Sequence, residues 1–154
     1  MKAEFIRIAA AKTSDPEALA ALREIEAHAA AFEEASATLA ERIAASKAAR
    51  GEGPVKLSKA KREQLAELEA DGRGIDRDLR EQLQAAPTAG SVIWSLHFGL
   101  SDDAPRARSM LKHYHPDERP IGEEMVLLQE RLVDALAAFL ERFPEPETAP
   151  DGAY

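Results

Sequence analysis

The chain has 154 residues, of which 45% are hydrophobic but only 5% aromatic, and a formal net charge of −8. That length suits one domain with a core, or a coiled-coil arm beside a small helical lobe, and excludes two large independent domains. The absence of cysteine excludes disulfide scaffolds, thiol nucleophiles and cysteine-ligated zinc and fits a reducing cytoplasm, while the acidic balance excludes nucleic-acid binding over the whole surface and leaves only a local cluster of cations able to do it.

Residues 1–13 read as an N-terminal segment. The run Met1-Lys2-Ala3-Glu4-Phe5-Ile6-Arg7-Ile8 is too short for a signal peptide, and nowhere does the chain approach the ~20 apolar residues that span a bilayer, so no membrane role is expected. Alanine is the commonest apolar residue, which favours close-packed helices over sheets of β-branched and aromatic residues. The predicted class is all-α.

A helix starts at Ser14-Asp15-Pro16-Glu17, with Ser14 or Asp15 as N-cap and Pro16 in the first turn. Leu22, Ile25, Ala29, Phe32, Ser36, Leu39 and Ile43 then follow a heptad seam. The pattern stops at Arg50-Gly51-Glu52-Gly53-Pro54 and resumes with Leu65, Leu68, Gly72, Ile75, Leu79 and Ala86. Two seams about one breaker predict a long antiparallel, coiled-coil-like hairpin over 14–86 with its tip at 50–57. Folding it about Gly53 sets Ile43 against Leu65, Leu39 against Leu68, Phe32 against Ile75 and Ala29 against Leu79. Gly72 and Gly74 have two readings: a break in the second arm, at roughly 1 kcal/mol per glycine in a helix, or a hole at Gly72 that receives the Phe32 ring.

Residues 87–143 read as a small helical lobe. Ser91–Leu100 is the most hydrophobic stretch, holds the only tryptophan, Trp94, and is expected to be a short buried helix. A second short helix over 104–114 ends before Pro116, and Pro120 opens a last helix with the stripe Met125, Leu128, Leu132, Leu136, Phe139 and Phe143. The proline-rich, acidic residues 144–154 are expected to be a disordered tail.

Two clusters are candidate sites. The hairpin tip gathers Lys47, Arg50, Lys56, Lys59, Lys61 and Arg62 against one acid, Glu52. Lys59, Lys61 and Arg62 fall in a first helical turn, where the dipole disfavours cations by up to ~1 kcal/mol each. A misplaced charge points to an anionic partner, either an acidic protein face or nucleic-acid phosphate, although such runs are often solvated surface. His28, His97, His113 and His115 lack metal-ligand spacing, so no metal or other cofactor is expected. No nucleophile turn, phosphate-binding glycine loop or acid–base pair is recognisable, so an enzyme is not indicated.

The second cluster is Leu111-Lys112-His113-Tyr114-His115-Pro116-Asp117. With the upstream Phe98-Gly99-Leu100-Ser101-Asp102-Asp103-Ala104 and the downstream Leu132, Ala135, Leu136 and Phe139, it resembles the J-domain of DnaJ-type co-chaperones over about 94–140. The resemblance implies a basic helix face of Arg106, Arg108 and Lys112, and a His115-Pro116-Asp117 turn that engages a DnaK-type ATPase. The residues predict a shorter preceding helix than the family's, with Pro105 at its start. A structural reading of the same residues has Pro116 ending one helix, Asp117 making the turn and Tyr114 packing.

The function expected from the residues is that of a non-enzymatic adaptor or assembly protein, acting through the hairpin and its basic tip on another protein or on a second copy of itself. A J-like co-chaperone is the alternative, and a small acidic inhibitor of a nucleic-acid-binding partner is the third.

Overall fold

A computed structural model describes residues 1–53 and 56–145. Pro54 and Val55 of the tip, and the predicted tail from residue 146 onward, lie outside the described residues. The chain is all-α: α1 Ala3–Ala10, α2 Pro16–Ala49, α3 Lys59–Ala85, α4 Ala89–Met110 and α5 Arg119–Arg142, with a 3-10 turn at Leu111–His113. Among the described residues no helix is long and apolar enough to cross a membrane.

Side-chain caps start three of the helices, the first at the expected Asp15. Asp15 accepts a hydrogen bond from the Glu17 amide at 3.0 Å, with Pro16 opening α2. Ser58 accepts from the Lys61 amide at 3.2 Å and starts α3. Thr88 accepts from Ser91 at 3.0 Å and starts α4.

One buried cluster runs through all five helices. Phe5, Ile6 and Ala9 of α1 lock against Leu22, Ile25, Ala29 and Phe32 of α2, Val92, Ile93 and Leu96 of α4, Leu132, Leu136 and Phe139 of α5, and Leu83 near the end of α3. The N-terminal segment is therefore a core element, and the hairpin and lobe that the sequence divides at residue 86 share its packing. α1 and α2 are joined by five residues and pack on each other, hence antiparallel. α5 runs against α2, with Arg42 reaching Glu124 at 2.7 Å near one end and Arg142 reaching Glu17 at 3.4 Å near the other. α4 also packs on α5.

The two long helices reverse direction at the predicted tip, but α2 packs on α5 and α1 rather than on α3. The cause is α1. It packs along α2, whose Ala29 and Phe32 are buried in the same cluster, and α3 docks on it through Leu83, Arg80 to Glu4 at 2.7 Å, Lys2 to Asp76 at 3.0 Å, and Lys12 to the Gln84 carbonyl at 2.8 Å. The Arg80 hydrogen bond holds the Glu4 carboxyl below its ordinary pKa. A helix is about 10 Å across, so a helix wedged at the base holds the arms apart. The expected pairs Leu39–Leu68 and Ile43–Leu65 are not made: Leu65 and Leu68 are 47% and 65% exposed. α3 runs unbroken through Gly72 and Gly74, and a Cβ at Gly72 would meet nothing within 4 Å, so no ring enters there.

In the lobe, the two expected short helices are one, α4, continuous through Pro105 on its exposed face. Trp94 and Phe98, expected to be buried, are 57% and 61% exposed and stack on each other at 5.4 Å between ring centres. Hydrophobicity along the stretch misleads because the inward face of α4 is already filled by Val92, Ile93, Leu96 and Ala104.

Candidate interaction surface

The structure joins one residue of the basic tip to the His115-Pro116-Asp117 turn. Arg50, at the C-terminal end of α2, turns inward and donates to Glu118 Oε2 at 2.8 Å and to Asp117 at 3.4 Å, with Glu52 3.2 Å from its other terminal nitrogen. A second ionic contact to Glu118 Oε1 spans 2.8 Å without hydrogen-bond geometry, and the buried Arg50 Nε and Glu118 Oε1 find no hydrogen-bond partner among the described residues. Glu118 is one of two buried polar or charged side chains in the described chain. Its hydrogen bond with Arg50 holds the carboxyl below its ordinary pKa and raises that of the guanidinium, so both stay charged. The sequence singled out Arg50 and Asp117 but not Glu118. A glutamate between Asp117 and Arg119 looks like any solvated acid until the fold buries it.

This contact latches the end of α2 to the turn before α5. The turn is itself tightly built. The Asp117 amide donates to His115 Nδ1 at 3.1 Å, the Glu118 amide to the His115 carbonyl at 2.9 Å, and Arg119 closes the end of α4 by donating to the carbonyls of Leu111 and Tyr114 at 3.3 Å each. Gly122 permits the close approach of α5, since a Cβ there would lie 2.6 Å from the Tyr114 ring.

Of the residues carried by the J-domain resemblance, Arg106 and Lys112 are exposed, whereas Arg108 is paired with Glu130 and faces Glu123. His115, Pro116 and Asp117 are exposed, with Asp117 held by Arg50. The helix before the turn has 22 residues rather than the short one expected, and it lies along α5. Among the described residues no group of three or more His, Asp or Glu side chains is gathered closely enough to hold a metal ion.

The other tip cations, Lys56, Lys59, Lys61 and Arg62, are not drawn into the latch. All four are exposed, and three of them crowd the unfavourable first turn of α3. Beyond them every residue from 59 to 73 is exposed. Leu57, Leu65, Leu68 and Ile75 form half of the large exposed hydrophobics of the described chain, and all four lie on or beside one helical seam. Sequence reasoning found Leu65, Leu68 and Ile75 through their heptad spacing but assigned them to the interior. Beside the tip, Ala40, Ile43, Ala44 and Ala48 of α2 line an open apolar groove of about 760 Å³. The free half of α3 is thus an apolar stripe with a basic leading end, carried by a base docked on α1. Comparison with protein-family models, with curated proteins and with solved structures finds no match to this chain.

Proposed function

We propose that this chain is a non-enzymatic interaction or assembly protein that engages a protein partner, in the cytoplasm, through the free half of α3. The observation that carries the reading is the unbroken exposed run of residues 59–73, with Leu65 and Leu68 47% and 65% exposed within it. The exposed half of α3 is a continuation of its docked half and draws its stability from propensity and the Ser58 cap, with little tertiary packing to add to them. Covering what remains exposed of each leucine is worth about half to two-thirds of the roughly 1.5–3 kcal/mol that full burial brings. An arm that leaves Leu57, Leu65, Leu68 and Ile75 this exposed to water fits a surface meant to be covered. The basic tip adds electrostatic attraction to an acidic face, which speeds encounter more than it tightens the complex.

The test is a photo-cross-linking amino acid placed at Leu68, on the stripe, or at Ala70, exposed on the opposite side of α3. Adducts with protein from position 68 and few from position 70 are expected. Equal labelling, or none at either position, would overturn the reading.

A second reading, a J-like co-chaperone, is favoured by the length of α4 and its packing along α5, which gives His115-Pro116-Asp117 the paired helices that the resemblance requires. Its measurement is ATPase stimulation of a DnaK-type chaperone, abolished by His115→Gln. Purified protein that gives no stimulation ends that reading.

A further inference from the structure

We infer that the partner of the free α3 arm is a second copy of this chain, the two arms paired antiparallel about a two-fold axis that crosses α3 between Ala66 and Glu67. The inference rests on reading that arm as the interaction surface. It adds the identity and register of the partner.

The seam of the arm runs Ser58, Lys61, Leu65, Leu68, Gly72 and Ile75. Antiparallel pairing about the stated axis sets Leu65 of one copy against Leu68 of the other, twice by symmetry. These are two of the most exposed large apolar side chains of the arm. It also sets Lys61 against Gly72, where a Cβ would meet nothing within 4 Å, leaving room for the lysine stem to cross the seam toward the neighbouring Asp71. Ile75 meets Ser58 and the adjacent Leu57. No large apolar residue of the arm is left off the interface: the outward positions between 59 and 73 hold Lys59, Ala60, Glu63, Ala66, Glu67, Ala70 and Arg73.

Charge selects this register and direction. The arm is polarised, with Lys56, Lys59, Lys61 and Arg62 at its start and Glu63, Glu67, Glu69 and Asp71 after them. An antiparallel pair lays basic on acidic at both ends. Flanking the seam, Arg62 of each copy faces Glu69 of the other. A parallel pair would stack Lys61 on Lys61 inside the seam and basic tip on basic tip. The free arm, residues 59–75, is about 25 Å long, which buries less than a standard interface of roughly 1,600 Å². A dimer dissociating in the micromolar range is therefore expected, rather than an obligate one.

The experiment is sedimentation equilibrium of the full chain across a concentration series, with Arg62→Glu, Glu69→Arg and the double swap. All four positions in the two copies are exposed, so the variants should keep the wild-type circular dichroism, which is checked first. Wild type should shift from 16.8 kDa to twice that mass with rising concentration. Each single reversal should weaken association at least ~10-fold, because it creates two like-charge contacts. The double swap should restore association, which a parallel register cannot do because residues 62 and 69 would not then meet. A dimer insensitive to the single reversals, or one not rescued by the swap, overturns the inference. A wild-type chain that stays monomeric throughout overturns it too. If such a monomer still cross-links to a different protein in the cell from position 68, the interaction reading stands and only the second copy falls. Absence of adducts there removes both.

Discussion

Replacing Ile6 by alanine tests whether α1 is the wedge that organises the fold. Ile6 is fully buried, between Phe5 at 2% exposure and the fully buried Ala9 three residues on. The substitution deletes three carbon groups, about 2.4 kcal/mol of transfer free energy at ~0.8 kcal/mol per buried methylene. The cavity left between α1, α2 and α4 raises the total to roughly 2–5 kcal/mol. α1 has eight residues and cannot stand as an isolated helix, so nothing local compensates. For a chain of this size each kcal/mol moves the melting temperature by about 2–4 °C, so a drop of roughly 5–15 °C is expected. The assay is thermal unfolding followed by far-ultraviolet circular dichroism, beside Arg7→Ala as control. Arg7 is exposed and makes one surface ion pair, to Glu26 at 3.2 Å, worth at most ~1 kcal/mol. If Ile6→Ala melted within a degree or so of wild type, α1 would not be part of the core, and the account of why the arms stand apart would fail.

Three further predictions follow from other parts of the molecule. Gly122→Ala should destabilise by about 1–3 kcal/mol in denaturant titration, because its Cβ would lie 2.6 Å from the Tyr114 ring and 2.9 Å from Leu111 in a packed site; Gly72→Ala, with open space around it in a continuous helix, should stabilise α3 by up to ~1 kcal/mol. Glu118 has its pKa depressed in the folded state by Arg50, so the stability it contributes is complete above the ordinary carboxylate value and is lost as the pH falls through the folded one. Arg50→Gln should therefore lower stability at neutral pH and flatten the acid limb of the unfolding curve, and an unchanged acid limb would dismiss the latch. Leu83→Ala, at a fully buried site anchoring α3 to the core, should cost about 2–5 kcal/mol, whereas Leu68→Ala in dilute monomer should cost less than ~1 kcal/mol, since its side chain is 65% exposed.

Local signals read well from the sequence. Asp15 and Pro16 mark a helix start because capping needs only neighbours within three residues, and Leu132, Leu136 and Phe139 announce the buried stripe of α5 through period alone. What the sequence could not assign was which apolar face meets which. Leu65 and Leu68 have the spacing of a seam, and spacing is the same whether the partner is α2, another copy or solvent. Phe5, Ile6 and Ala9 occupy a segment too short to signal a helix by periodicity, yet they decide that α3 cannot close on α2. Trp94 and Phe98 were drawn inward by composition, although Val92, Ile93 and Leu96 fill the inner face. Of the candidate site, Arg50 and Asp117 were visible separately, but their meeting across 67 positions of sequence was not.

The free half of α3 stands clear of α2, and the separation can be measured directly. The chain lacks cysteine, so a Leu39→Cys/Leu68→Cys variant accepts two spin labels with no background, and diluting it into excess unlabelled protein removes distances between copies. A closed hairpin would bring these facing positions to packed-helix separation, with axes about 8–10 Å apart. Pulsed electron–electron resonance should instead return a longer distance, beyond that of packed helices. A single short distance at packed-helix range would contradict the account.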